Sequence, residues 1–245
     1  GASILSVTNV MGSTMMRLSD VYIGQNCGPE IGVAATKTFT SQVAVLLRLA
    51  ATVGRKTGKV PVGKIDELED ALHRTPEIIQ ELLSTKVESV RRIADSISNA
   101  ASICFLGRGV SVPTALEGRL KLLELSYVPA IAYPAGESKH GFISLIEEGF
   151  PVVFIAPPDE THKKIIGNIM EMKARGARII SLIQEGDEEI RNLSDDVVEI
   201  SGSLPPLATP IVYVVPLQLL AYYLSVGKGH DPDYPRNLAK SVTVE

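Results

Sequence analysis

The sequence predicts an α/β protein, a three-layer αβα sandwich around a parallel sheet, with one complete unit and the back half of a duplicated unit. Two observations carry that reading. Short apolar runs alternate with amphipathic stretches through the second half of the chain, and a segment near the start recurs near the end. Strand, helix, strand, helix in that rhythm makes a parallel sheet covered on both faces.

Five runs read as buried strands: SICFLG (102–107), AIAYP (130–134), VVFIAP (152–157), RIISLI (178–183) and DVVEIS (196–201). Between and after them, TALEGRLKLLELSY (114–127), ETHKKIIGNIMEMKARG (160–176) and IVYVVPLQLLAYYLSVGKG (211–229) read as helices. The second of these ends at Gly176, with Lys173 and Arg175 in the last turn, where cations meet the negative end of the helix. The recurrence pairs Ser6 with Ser181 and Leu18-Ser19-Asp20 with Leu193-Ser194-Asp195 at one constant offset. A long apolar helix follows each copy, TKTFTSQVAVLLRLAATVGR after the first, and this is the signature of a duplicated α/β unit.

The second copy has a front half, about residues 84 to 177, with no counterpart before the first. Two strands, near residues 3–8 and 20–24, do not make a covered parallel sheet. The expectation is therefore that roughly 90 residues or more precede Gly1 in a longer protein. The domain reading is 1–62 as the back part of a first unit, 63–83 as a helical connector, 84–228 as a second unit and 229–245 as a C-terminal tail. The connector's apolar face is expected to be Leu68, Leu72, Ile78, Ile79, Leu82 and Leu83.

The formal net charge of −4 and the absence of tryptophan argue against a nucleic-acid surface, which wants clustered Lys and Arg. Cys27 and Cys104 form no C-x-x-C spacing, and His73, His140, His162 and His230 make no metal-ligating pair, so no metal site is expected. No unbroken apolar run is long enough to span a membrane and no signal-like segment leads the chain, which fits a cytoplasmic protein.

Four stretches could carry chemistry. Gly107-Arg108-Gly109 lies between a strand and a helix, where backbone amides can cradle phosphate, but two glycines in three residues fit a tight turn better. In the next helix, Thr114 and Glu117 form a candidate capping box beside Pro113. Glu117, Lys121 and Glu124 share one strip, with Leu116, Leu120 and Leu123 on one side and Leu122 and Leu125 on the other. That strip is either a surface ion pair or a partly desolvated carboxylate able to shuttle a proton.

The segment YPAGESKHGFISLI (133–146) places Glu137, Lys139 and His140 in a loop at a strand's C-terminal end, opening onto an apolar helix. Ligand crevices of open α/β sheets lie outside such ends. Last, GHDPDYPRN (229–237) carries Pro232 and Pro235, which favour a fixed path over a frayed end. Lys240 follows in an apolar setting that would desolvate its amine, the condition for a nucleophile toward a carbonyl; a solvated terminal lysine is the alternative.

The stretches GPEIGVAATKTFTSQ, GRGVSVPTALEGRLKLLELSY, AGESKHG and IVYVVPLQLLAYYLSVGKGHDPDYPRNLAKSVTVE together resemble the C-terminal isomerase part of the glutamine–fructose-6-phosphate aminotransferase family, built of two sugar isomerase (SIS) domains. The resemblance implies a SIS fold that turns fructose 6-phosphate and glutamine into glucosamine 6-phosphate without a cofactor. It implies that Lys240 forms a Schiff base with C2 of the sugar, that Glu124 moves a proton between C1 and C2, and that Lys121 tunes that carboxylate. It also implies that His140 serves the neighbouring subunit of a homodimer in ring opening, and that Val33, Ala35 and Ala239 contact the sugar. In the family a glutaminase domain and the loops that grip the sugar phosphate lie upstream of the matched stretches, so this chain alone is expected to bind sugar phosphate poorly. Two other readings remain: a non-catalytic SIS sensor or scaffold for an amino-sugar phosphate, and a fructosamine-phosphate deglycase relative.

Overall fold

The computed structural model describes residues 1–241, so Val242–Glu245 at the end of the predicted tail lie outside the described residues. The second half holds a five-stranded all-parallel sheet in the order β4-β3-β5-β6-β7, made of β3 (Ile103–Gly107), β4 (Ala130–Pro134), β5 (Pro151–Ala156), β6 (Arg178–Gln184) and β7 (Asp196–Ile200). All five expected strands are present. Their side chains alternate between two cores. Ile103, Phe105, Val153, Ile155, Ile180 and Leu182 face one, while Cys104, Leu106, Val152, Phe154, Ile179 and Ile183 face the other. A strand covered on both faces is apolar along most of its length, which is why the central β3, β5 and the middle of β6 read as nearly unbroken runs, while the edge strands β4 and β7 keep exposed or charged positions.

On the first face lie α4 (Val87–Ser96), α5 (Ser111–Ser126) and α8 (Thr209–Gly227); α6 (His162–Lys173) and α7 (Glu188–Leu193) cover the second. The stretch Pro206–Gly227, which includes α8, is long and apolar enough to cross a membrane by length and composition, yet its most apolar 18-residue window is 67% buried against the rest of the protein. It is a core helix, apolar all round because it is surrounded.

The first half holds β1 (Leu5–Thr8), α1 (Thr14–Leu18), β2 (Val21–Gly24), α2 (Lys37–Thr57) and α3 (Val62–Thr85). β1 and β2 pair in parallel, Leu5 opposite Val21 and Ser6 opposite Tyr22. β6 and β7 pair as Ile180 opposite Asp196 and Ser181 opposite Val197, the same register under the offset read from the sequence. The recurring aspartates do the same work in each copy. Asp20 Oδ2 accepts the Ile4 amide at 2.7 Å, and Asp195 Oδ2 accepts the Ile179 amide at 2.7 Å. Each ties the entry of one strand to the start of its neighbour. The copies differ in setting: Ile180 is buried between layers, whereas Leu5, Val21 and Tyr22 of the smaller sheet are exposed.

Several local expectations change. α5 begins at Ser111, a full turn before Thr114, and its N-cap Val110 makes no side-chain bond, so the Thr114–Glu117 capping box does not form. Pro113 sits in the first turn, where a helix has no use for its missing N–H. The apolar helix expected after His140 is a single 3-10 turn, Phe142–Leu145, and the loop expected before it is another, Ala135–His140. α3 runs past both ends of the expected connector and buries Ile65, Ala71, Thr75, Ile78 and Leu82, while Leu83 is exposed. α4 was not expected at all, although Val90, Ile93, Ala94 and Ile97 have helical spacing and are buried.

Candidate functional site

The turn from β3 into α5 sets the first part of the site. A Cβ on Gly107 would lie 2.5 Å from the Ser111 carbonyl oxygen, and Gly109 has φ of +51°, so both glycines are needed for the turn itself. α5 then carries Lys121 inward to 2% exposure between two carboxylates, with its Nζ 2.6 Å from Glu124 Oε2 and 3.3 Å from Glu117 Oε1. Leu122 and Leu125 are buried beside this strip, whereas Leu116 and Leu120 on the other flank are exposed. The strip is therefore desolvated from one side. Burial raises the Glu117 carboxyl above its ordinary range; the Lys121 ammonium opposes that rise and the Glu124 charge adds to it.

The second part is the segment before α2. Thr36, the N-cap of α2, makes no side-chain capping bond. Glu30 caps the helix in its place: Oε1 accepts the Thr36 amide at 2.8 Å and the Thr38 amide at 3.3 Å, and Oε2 accepts the Thr38 hydroxyl. Burial alone would raise this carboxyl, but the Lys240 ammonium and the Thr38 and Thr36 donors outweigh it and hold its pKa at about 2.

The tail supplies the third part. Arg236 donates its amide to the Tyr127 hydroxyl at 2.8 Å, and its guanidinium lies 4.1 Å from the centroid of the Tyr127 ring. Pro235 is buried, and the Asp233 carbonyl accepts the Val33 amide at 3.1 Å. The tail is docked over α5 and the 29–36 segment as far as it is described. Lys240 ends with Nζ 2.7 Å from Glu30 Oε2 and 3.4 Å from the Val33 carbonyl oxygen. The apolar setting expected for this amine is not what surrounds it. Its side chain is 40% exposed and paired to a carboxylate that is 7% exposed.

A cleft of about 270 Å³ joins Leu123, Glu124 and Tyr127 of the α5 region to Arg236, Asn237 and Leu238 of the tail. A larger one of about 660 Å³ joins Glu30, Gly32, Ala34 and Thr36 to Gln218 and Tyr222 of α8 and to Pro232 and Asp233. The docked tail thus lies beside Glu124, the partner of Lys121, at Arg236, Asn237 and Leu238, and reaches Glu30 and the Val33 carbonyl through Lys240. Ala35 is half-buried in the loop before α2, and Ala239 is exposed next to Lys240. His140 is not brought to this group. It is exposed at the end of a 3-10 turn, in a separate cleft of about 480 Å³ with Tyr133, Glu137, Phe142 and Leu145.

Sequence reading missed Glu30 and Tyr127, whereas the pairing of Lys121 with both Glu117 and Glu124 matches the strip read from helical spacing. For Glu30 a signal existed: an acidic residue shortly before Thr36 and Thr38 at a helix start, where free amides want an acceptor. Tyr127 had none, because its φ of +58° and its bond to Arg236 arise only in the folded chain.

Residues 96–227 match the SIS domain model. Over its whole length the chain is 49% identical to the isomerizing glutamine–fructose-6-phosphate aminotransferase of Thermococcus kodakarensis and 46% identical to that of Thermus thermophilus, covering 40% of each protein. It thus spans less than half the length of the curated relatives it matches. The C-terminal domain of glucosamine-fructose-6-phosphate aminotransferase from Francisella tularensis superposes with a TM-score of 0.89 at 33% identity, over 94% of this chain and 65% of that one.

Proposed function

The chain belongs to the SIS domain family, and from that premise we propose that it is the sugar-isomerising part of a glutamine–fructose-6-phosphate aminotransferase. Similarity along the whole of this chain to 40% of the length of such enzymes supports the reading. The observation that carries it is the docked tail, which holds the Lys240 amine against Glu30 while its Arg236, Asn237 and Leu238 share a cleft with Glu124, a carboxylate paired to the buried Lys121. A primary amine and a carboxylate are the two groups that amino transfer with ketose–aldose isomerisation requires.

In this mechanism the Lys240 amine attacks C2 of open-chain fructose 6-phosphate, and loss of water leaves an imine. Ammonia derived from glutamine displaces the lysine, so that the C2 imine belongs to the sugar. Glu124 removes a proton from C1 and returns one to C2, and C1 becomes the aldehyde of glucosamine 6-phosphate. Lys121, whose Nζ lies 2.6 Å from Glu124 Oε2, orients that carboxylate for the exchange. The backbone of Val33 and Ala239, with Ala35, lines the sugar, and His140 reaches the site of a second subunit to open the ring. The glutaminase that supplies ammonia belongs to another part of the full-length protein, in the cytoplasm.

Borohydride added with fructose 6-phosphate to the full-length gene product, followed by peptide mass analysis, tests this. The expected result is a reduced sugar-phosphate adduct on Lys240, absent in Lys240→Gln. Adducts confined to other lysines overturn the Schiff-base role. Conversion of fructose 6-phosphate to glucose 6-phosphate, lost in Glu124→Gln, separates an enzyme from a sugar-phosphate sensor.

A further inference from the structure

Glu30 has no part in the mechanism above, yet it is the residue to which the proposed nucleophile is bound. Its carboxylate sits before the N-terminus of the 21-residue helix α2, is almost fully buried, and takes four bonds from the backbone and hydroxyls of Thr36 and Thr38. A side chain held by that many donors at a helix N-terminus cannot swing toward solvent, so its charge is fixed in place. Lys240 is the cation that meets it; the nearby Lys37 is directed to the Pro29 carbonyl at 2.7 Å, and the carboxylate of Asp233 faces Gly32.

We infer that Glu30 is the positioning residue for Lys240: its fixed carboxylate draws the tail into the site and stands opposite the positive charge on the lysine nitrogen before and after that nitrogen bonds to sugar. The inference rests on the Schiff-base reading above. Its chemical logic follows from charge balance. The ammonium gives up one proton to become the attacking amine; the N–C2 bond forms, and one proton is taken up as the C2 hydroxyl leaves as water. Ammonium plus ketone therefore becomes iminium plus water, with one positive charge on nitrogen on each side. A stationary anion is matched to both states, and in a partly buried site the iminium would otherwise be poorly solvated. The carbonyl of Val33, 3.4 Å from the same nitrogen, offers a second acceptor for its remaining N–H.

Two variants and two readouts test the inference. Glu30→Gln keeps the shape and removes the charge; Glu30→Asp keeps the charge and shortens the reach. Without sugar, the expected result is that tryptic cleavage after Lys240 speeds up about fivefold to tenfold in Glu30→Gln, the size of a lost charge-assisted bond, and much less in Glu30→Asp. With fructose 6-phosphate, borohydride trapping on Lys240 falls about tenfold or more in Glu30→Gln and is partly restored in Glu30→Asp. A tail as protected in Glu30→Gln as in the parent overturns the inference, as does equal loss of trapping in both variants, which would mark a steric role without one for charge. If the parent protein shows no adduct on Lys240, the Schiff-base reading fails, while the proteolysis arm still decides whether Glu30 holds the tail. Thr38→Val, which removes a donor to Glu30 but not its charge, checks that unravelling of α2 is not the cause: it should leave Lys240 protected.

Discussion

Replacing Lys121 by methionine removes a cation that is 2% exposed and leaves two carboxylates behind it, Glu117 at 12% and Glu124 at 21% exposure. The apolar volume is nearly conserved, so the loss is electrostatic. Breaking a buried ion pair from one side costs about 3–5 kcal/mol, and because both carboxylates keep some solvent the lower end, about 3 kcal/mol, is expected. For a chain of this size that is a fall in Tm of roughly 6–12 °C.

The same variant should depend on pH in a definite direction. Glu117 is already raised by burial, and Lys121 is the charge that opposes the rise. Without it, the folded-state pKa of Glu117 climbs further above the unfolded value. A carboxyl raised on folding contributes stability below its unfolded pKa and loses it as pH rises through the folded one. The deficit of Lys121→Met should thus be smaller at acid pH, where Glu117 takes up a proton, than at neutral pH. Urea and thermal unfolding at the two pH values measure it. A deficit below about 1 kcal/mol, or one equal at both, would refute the view that Lys121 neutralises a desolvated carboxylate pair.

The duplicated aspartates give a paired test. Asp195→Ala should cost about 1–2 kcal/mol, because it strands the amide of Ile179, which is 0% exposed, whereas Asp20→Ala should cost under about 0.5 kcal/mol, because Ile4 is 53% exposed and water can replace the bond; urea midpoints compare them. Gly107→Ala puts a Cβ 2.5 Å from the Ser111 carbonyl oxygen and should destabilise by roughly 3 kcal/mol or prevent folding, read by Tm. Tyr127→Ala should free the tail, with tryptic cleavage after Arg236 rising about tenfold as one hydrogen bond and one cation–π contact are lost. Glu30 is held near pKa 2 against an ordinary 4.5, so its contribution is present above about pH 4.5 and is lost as pH falls toward 2. That shift corresponds to about 3 kcal/mol before solvent screening of the half-exposed Lys240, and roughly 1–2 kcal/mol after it; the acid limb of a Tm profile should flatten accordingly in Glu30→Gln.

Some of this protein was legible from local pattern alone. The central strands β3 and β5, and the middle of β6, are almost wholly apolar because both faces are covered, and that composition marks them in any context. The constant offset between copies was legible because the aspartate after each short helix must serve the strand entry in the same way. The placement of Lys121 beside Glu117 and Glu124 was legible as helical periodicity, a short-range property of the chain. α4 escaped because its apolar positions sit among Glu88, Arg91 and Arg92, so its stripe merges with the polar connector before it.

The parallel sheet and the charged strip on α5 follow from residues a few positions apart or from burial that composition announces, and the repeat follows from direct comparison of two segments. It takes the folded chain to bring Lys240 to Glu30, a pair separated by 210 positions, to clamp Arg236 on Tyr127, and to set His140 apart from both. Those contacts exist because α5, the α2 N-terminus and the tail converge on one side of the fold. Nothing in the residues near Lys240 encodes the carboxylate that receives it: the chain travels through both units before the two ends meet.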